Sequence, residues 1–502
     1  MIKTICILGG GTSGYLSAAY LRNTIPTGVK IQLIESSKVG IIGVGEGTQP
    51  YTTEFLRKCG LQPIDWMKAA KATYKLGVEF NGWSDQPYFV DNDDYGSFVL
   101  GPEIPTFNYW LGKSKKEFFE FVQSYKLAKA NKSPKYNHVM DFTHGFMMPS
   151  WDAVHFDAHK IGEAIKEKIK NEIEIIDTEI VEVDTFENGI KCLRDDGGAE
   201  YHADLYIDCS GFKSLLLGKT LGVRYLDETE NLPCNSAVAI PTQYKNPQEE
   251  CHPYTKATTM KHGWRWTIPT YERIGNGYVY SDAYCSKENA EKELREAIGE
   301  FDAPANHLQM RIGTHEGIAH DNVDAIGLSG GFVEPLEATG ITFTTKAVEF
   351  VVDSLRQSDG TWTKQNLSYI NGQWLSMYYE IRDFIFTHYK FASRKDTQFW
   401  RDVTSKELPD TCKQRLEKFV PGPKDSMFLP GITSMFHTGQ WFQMLYGSDF
   451  YKKSVAFMAD DYLRYAESYV DSENYRIDRI MRDLDNHYDY LTKWYKNIYI
   501  VV

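Results

Sequence analysis

The stretch Ile5-Cys6-Ile7-Leu8-Gly9-Gly10-Gly11-Thr12-Ser13-Gly14 constrains this chain more than any other. A short apolar run ends in glycines, and Tyr15-Leu16-Ser17-Ala18-Ala19-Tyr20-Leu21 continues as a predicted helix. Gly9 allows a sharp turn, Gly11 lets backbone approach a pyrophosphate, and Gly14 lets helix and strand pack closely. The amides at the helix start, at Thr12 and Ser13, then face the phosphates. A second predicted strand, Lys30-Ile31-Gln32-Leu33-Ile34-Glu35, ends in an acid about 20 residues beyond the glycines, where a ribose-binding carboxylate belongs. The pattern predicts a strand–helix–strand unit that binds a dinucleotide.

The chain has 502 residues, more than one core usually covers, so two domains or one large elaborated domain is expected. A net charge of −13 argues against a nucleic-acid partner, which needs a basic surface. The eight cysteines are scattered without a CxxC pair. They read as reduced, partly buried thiols of a cytoplasmic protein, and neither a disulfide frame nor a metal site is expected. His315 and His320 are five apart with Gly317 between them, so they do not share a helix face as zinc ligands would. No apolar run is long enough to span a membrane, and no signal peptide is expected before the first strand.

After Glu35, the run from Gly40 to Pro50 includes Gly43, Val44, Gly45 and Glu46. It is too glycine-rich for a regular element and reads as a loop whose backbone can lie against a flat ligand. Tyr51 to Cys59 reads as a helix stopped by Gly60. In Tyr74-Lys75-Leu76-Gly77-Val78-Glu79-Phe80 the residues alternate as in one strand, with Gly77 leaving space beside Lys75. Pattern alone makes Lys75 a solvated strand lysine. Residues 82–150 look loop-rich, a lid or pocket wall. A helix is expected from His155 to about Lys170, then strands at Ile173–Ile176 and Ile180–Val183. Asp204 to Phe212 reads as a strand ending in a small-residue turn, a second approach to the dinucleotide.

Residues 234–282 favour strands. Gly263-Trp264-Arg265-Trp266-Thr267-Ile268-Pro269 puts two indoles on one strand face, as a core pair or as a cavity wall. Asp324 to Leu328 is a further short strand, running into Ser329 to Ile341. Glu337 adjoins a Thr-Gly turn that opens a helix from about Thr344 to Leu355, and amides at such a turn can hold a small anion. From about residue 360 the pattern is mostly helical.

Taken together these stretches resemble the flavin-dependent halogenases of the tryptophan halogenase family. Gly263–Pro269 fits the family signature GWxWxIP. Phe332-Val333-Glu334-Pro335-Leu336-Glu337-Ala338-Thr339-Gly340-Ile341 fits its FVEPLESTGI segment. Tyr74-Lys75-Leu76-Gly77-Val78 fits the segment carrying its active-site lysine. Asp208–Phe212, Asp383-Phe384-Ile385 with His388-Tyr389, and Trp441-Phe442-Gln443 also look like family segments. The resemblance implies an α/β (α+β) fold: a Rossmann-like FAD-binding domain of the flavin monooxygenase type with a mainly helical substrate domain packed on it. On that basis residues 1–360 form the FAD domain, with the excursion 82–150 and inserted strands 234–282, and 361–502 complete the substrate pocket.

The chemistry implied begins with reduced FAD from a separate flavin reductase, which reacts with oxygen so that halide becomes hypohalous acid. Lys75 then holds the oxidant, by hydrogen bond or as a haloamine, with Glu337 beside it, and an electron-rich aromatic carbon is halogenated. The FAD would touch Gly9, Gly11, Thr12, Ser13, Gly14, Glu35, Gly43, Val44, Gly45, Glu46, Gly327, Leu328 and Ile341. Halide would sit on the amides of Thr339 and Gly340. Phe98, Trp264, Trp266, Pro335 and Trp441 would line the substrate side. Ala338 stands where family members commonly have Ser. The region Asp94-Tyr95-Gly96-Ser97-Phe98 lacks the His-Pro-Phe clamp of tryptophan-specific members, which favours a broader aromatic range and bromide or iodide over chloride. A homo-oligomer is compatible with this reading. The rivals are a flavin-dependent aromatic hydroxylase and a non-catalytic flavin-binding protein. Gly327-Leu328 in place of the hydroxylases' Gly-Asp pair argues against the first, and retention of Lys75 and Glu337 argues against the second.

Overall fold

The computed structural model describes residues 1–38, 45–92, 106–134, 153–420, 435–448, 450–451 and 459–496. Grouped by internal contacts, the chain forms two compact units, each assembled from three segments: Met1–Ala72, Phe156–Asn235 and Gln309–Tyr379, and Thr73–His155, Ser236–Leu308 and Glu380–Val502. By this grouping the inserted strands and the 82–150 excursion go with the C-terminal helices. One reason lies in strand pairing: Gly77–Asn81 runs parallel to Thr255–Met260 in one sheet.

The first unit is built on a six-stranded sheet. Its order is Ala319–His320, Val323–Ala325, Leu205–Asp208, Thr4–Leu8, Lys30–Glu35 and Glu174–Asp177, parallel except at the first strand. Parallel strands are covered on both faces, so their sequences read as continuous apolar runs. Cys6, Leu8, Tyr206, Val323 and Ala325 share one core with Leu216 and Leu217. Against the sheet, the helix Thr12–Thr24 packs on the helices Ala158–Ile169 and Gly340–Gln357. The strand Leu205–Asp208 ends in a buried carboxylate. Asp208 accepts from the amides of Ser210 (3.0 Å), Leu216 (2.8 Å) and Leu217 (3.0 Å) and from the Ser210 hydroxyl (2.6 Å). Those four bonds shape the turn that follows.

The second unit carries a seven-stranded sheet in the order Asn306–Gln309, Ser236–Thr242, Ile274–Tyr280, Gly263–Pro269, Thr255–Met260, Gly77–Asn81 and Tyr88–Asp91. Helices include Lys115–Phe121, Thr438–Gly447, Asp460–Asp483 and His487–Tyr495. Buried Asp383 is bridged by Arg382 (2.8 Å) and Arg415 (3.1 Å). Among the described residues no helix is long and apolar enough to cross a membrane.

Several expectations are corrected. Gly45–Gly47 forms a short strand inside the expected loop. His155 belongs to the strand Ala153–Asp157, and the helix starts at Ala158 with Asp157 as its cap, because the Asp157 carboxylate accepts from the amides of His159 and Lys160. The helix expected from Thr344 begins at Gly340. The described residues of the loop-rich excursion include three short helices and the strand Tyr88–Asp91.

Candidate functional site

The glycine turn in the first unit meets each demand the sequence places on it. Gly9 has φ +125°, and a Cβ there would lie 2.2 Å from the Cys209 carbonyl oxygen. A Cβ on Gly14 would lie 1.8 Å from the Gly9 oxygen, so strand and helix touch through bare backbone. A Cβ on Gly11 would meet nothing within 4 Å. Space is therefore left in front of Gly11, where the first amides of the helix lack intrahelical acceptors. Such a cradle fits a pyrophosphate.

The hydroxyls beside this turn are already engaged. Thr12 donates to the Ala158 oxygen (3.3 Å), and Ser13 bonds Thr344 (2.9 Å). Gly327, with φ +73°, closes on the same place: its Cβ would lie 2.1 Å from Ser13 Oγ. Leu328 continues that short turn, and Ile341 lies in the first turn of the following helix. Glu35, at the end of its strand, accepts from Tyr15 (2.6 Å) and Lys166 (2.5 Å). Each carboxylate oxygen keeps a second lone pair for a ribose hydroxyl. Glu46 keeps partial solvent access, yet burial pushes its carboxyl up to about 7. Gly43, Val44 and Phe98 lie outside the described residues.

The segment from Pro335 to Ile341 is a second focus of the first unit. Glu337 is 1% exposed, and its carbonyl accepts from Gln49 Nε2 at 2.7 Å. Ala338 has φ +55°, the left-handed region that disfavours any residue with a Cβ. Thr339 then precedes the helix, and its buried Oγ1 has no hydrogen-bond partner among the described residues. A Cβ on Gly340 would meet nothing within 4 Å. Open space, unpaired amides and an orphaned hydroxyl together suit a small anion.

In the second unit, Lys75 ends the short strand Thr73–Lys75 and is only 3% exposed. The solvated-lysine reading therefore fails. The run is also not one strand. Leu76 breaks it, with its amide donating to Pro253 and its carbonyl accepting from Asn92, and Gly77–Asn81 enters a different sheet. Gly77 makes room for another residue altogether: its Cβ would lie 2.5 Å from the Phe89 ring. Beside Lys75, His155 pairs in register with Thr73 and is fully buried. Its ring contacts Thr73 Oγ1 (3.2 Å) and Thr255 Oγ1 (2.9 Å). Burial, with the Lys75 charge added, holds its pKa well below the usual histidine value, so it stays neutral.

Trp264 and Trp266 are both buried, with ring centroids 6.3 Å apart. Trp266 faces Gly277 across the sheet, and a Cβ on Gly277 would lie 1.9 Å from its ring. The indole lies flat on bare backbone. Trp441 sits in an aromatic cluster, edge-on to Phe384 at 4.7 Å and tilted on Phe419 at 5.9 Å.

Sequence reasoning missed Gln49, Gly277 and the Thr73–His155 pair. Gly275-Asn276-Gly277 in a strand was the available signal, since glycine in a strand often marks close approach of another group. His315, part of the rejected metal pair, uses both ring nitrogens, on Ser214 Oγ (3.1 Å) and the Val223 oxygen (2.8 Å).

Residues 4–462 match the family model described as tryptophan halogenase. The 7-chloro-L-tryptophan 6-halogenase of Kutzneria sp. (strain 744) is 35% identical over 442 residues, covering 82% of this chain and 84% of its own. The crystal structure of a tryptophan 6-halogenase from Streptomyces toxytricini superposes with a TM-score of 0.87 at 31% identity, covering 98% of this chain and 99% of its own. A flavin-dependent halogenase from Brevundimonas sp. BAL3 gives 0.84 at 28% identity, covering 98% and 99%.

Proposed function

Since the chain belongs to the tryptophan halogenase family and is a flavin-dependent halogenase that uses FAD and halide, we propose that it halogenates electron-rich aromatic compounds through Lys75 and Glu337. FAD, held in the reduced form delivered by a separate reductase, would supply the oxygen activation by which halide becomes hypohalous acid. The amides of Thr339 and Gly340 hold the halide. The residues assigned to FAD are those around the open cradle at Gly11, with Glu35, Glu46, Gly327, Leu328 and Ile341.

Lys75 donates a hydrogen bond to the oxygen of hypohalous acid, or carries the halogen as a haloamine, and makes the halogen more electrophilic. Glu337 polarises the same species and takes the ring proton as the carbon–halogen bond forms. The oxidant's oxygen leaves as water. Trp264 and Trp266 keep the organic substrate off the flavin. The observation that carries this reading is the burial of Lys75: a lysine out of water loses less oxidant to solvent.

The Kutzneria and Streptomyces relatives are a 7-chloro-L-tryptophan 6-halogenase and a tryptophan 6-halogenase. Gly96 and Ser97 in place of a clamp favour simple phenols, indoles and anilines over free tryptophan here, and bromide or iodide over chloride. A competition assay tests this, with FAD, a flavin reductase, each halide, and tryptophan against an aromatic panel at equal concentration. Product should be halide-dependent and dominated by the simple aromatics. Clean chlorination of tryptophan ahead of them would defeat the substrate assignment, and hydroxylated product without halide would defeat the reaction.

A further inference from the structure

We propose that His262, Cys285 and Glu293 form a binding site for a divalent zinc-class ion, with water completing a tetrahedral set. All three belong to the second unit. His262 sits in the turn between the strands Thr255–Met260 and Gly263–Pro269. Cys285 lies between the strand Ile274–Tyr280 and the helix Lys287–Ile298, and Glu293 is on that helix. One ligand atom from each lies within 4.8 Å of the others. Ligands on one zinc ion stand roughly 3.3–3.8 Å apart, so closure takes side-chain shifts of about an ångström.

Among the described residues none of the three side chains is held by a short hydrogen bond or ion pair. The buried Nδ1 of His262 has no partner among the described residues. Among the described residues Cys285 Sγ has one hydrogen bond, a long one of 3.5 Å to the Ser286 oxygen. Glu293 meets Tyr278 OH at 3.3 Å, Lys261 at 3.5 Å and His262 at 4.0 Å. Burial, with the Glu293 charge added, pushes the Cys285 thiol up to about 11. A bound cation reverses that penalty and sends the thiol proton to solvent.

The surroundings suit the assignment. Tyr278 OH accepts from the His262 backbone amide (2.8 Å) while donating to Glu293, so one buried tyrosine fixes the turn that carries His262 and orients the Glu293 carboxylate. Lys261 competes for Glu293, but its side chain is 62% exposed and is free to swing away. Thiolate, imidazole and carboxylate together select zinc over magnesium or calcium.

A second trio, Cys192, Glu200 and His202, fails the same test. Glu200 is already paired with Arg194 (2.7 Å) and His202 (3.0 Å), and the Cys192 thiol donates to Asp184 (3.4 Å).

The test uses the untagged full-length protein, stripped with a chelator and titrated with Zn²⁺ or Co²⁺ alone. One equivalent of metal should bind, and cobalt should produce the near-ultraviolet charge-transfer band of a thiolate ligand. Cys285→Ser should abolish the band. His262→Gln should weaken binding at least ~10-fold, and Cys192→Ser should change neither. Because Cys285 also packs in the core, the His262 variant serves as the second reading if Cys285→Ser misfolds. No thiolate band in the wild-type protein, or a band kept by the His262 variant at full affinity, overturns the site.

Discussion

Thr73 Oγ1 donates to the carbonyl oxygen of Pro269 at 2.7 Å, and so fastens the strand that ends in Lys75 to the last residue of the two-tryptophan strand. Because that hydroxyl proton is spent on Pro269, Thr73 accepts from His155 Nδ1, and His155 Nε2 accepts from Thr255. The lysine strand is thus held by a neutral, proton-ordered chain.

Replacing Lys75 by Ala should abolish halogenation while FAD affinity stays unchanged, because Lys75 is not among the residues assigned to FAD. Glu337→Gln should cut turnover at least ~10²-fold, the scale of a lost acid–base group. Single-turnover product analysis beside flavin titration checks both. Substantial product from the Lys75 variant with flavin bound would remove the lysine from the mechanism.

Gly277→Ala should destabilise the second unit by about 1–3 kcal/mol, since its Cβ would enter the Trp266 ring. Thermal unfolding and tryptophan emission report it. An unshifted midpoint would mean that the indole moves aside freely.

At Ala338, exchange for Gly should raise stability by about 0.5–1 kcal/mol, the left-handed strain relieved less the added chain entropy. Denaturant midpoints measure the change. If Ala338→Gly lowers turnover while raising stability, the strain serves the Glu337–Gly340 turn.

The buried histidines give a pH dependence of known sign. Burial lowers His487 to about 4, and it lowers His155 well below its usual value. With folded values below the unfolded value of about 6.5, the unfolded chain takes up protons first as the pH falls. Their contribution is intact above pH 6.5 and is lost progressively as pH falls toward 4, by on the order of 3 kcal/mol for His487. Urea midpoints at pH 7 and pH 5, for the wild-type protein and for His487→Gln, should show a shallower loss in the variant. Equal slopes would mean that His487 titrates as in water.

The legible parts of the sequence were those where one backbone demand admits one residue type. Gly9 and Gly14 are such positions, because neither has space for a Cβ. Lys75 was misread because alternation assumes a single strand, and at Leu76 the chain leaves one sheet for another. The Phe89 ring that fills the place beside Gly77 comes from twelve residues later, beyond any local pattern. The pattern puts His155 in the helix because the cap at Asp157 cannot be told from a helical acid by periodicity. His262, Cys285 and Glu293 have no short spacing at all, and only the packing of a turn, a loop and a helix assembles them.

All eight cysteines are buried and free, and burial lifts the thiols of Cys6, Cys251 and Cys412 to about 12. Thiolates are the groups that oxidants consume first, and both exposure and ionisation control the rate. A catalyst that handles hypohalous acid has here withdrawn its own fastest scavengers from reach. The oxidisable groups left at its surface include the Met1 thioether and the rings of Tyr462, Tyr465 and Tyr475, so self-inactivation is expected to show as methionine oxidation and tyrosine halogenation before thiol loss.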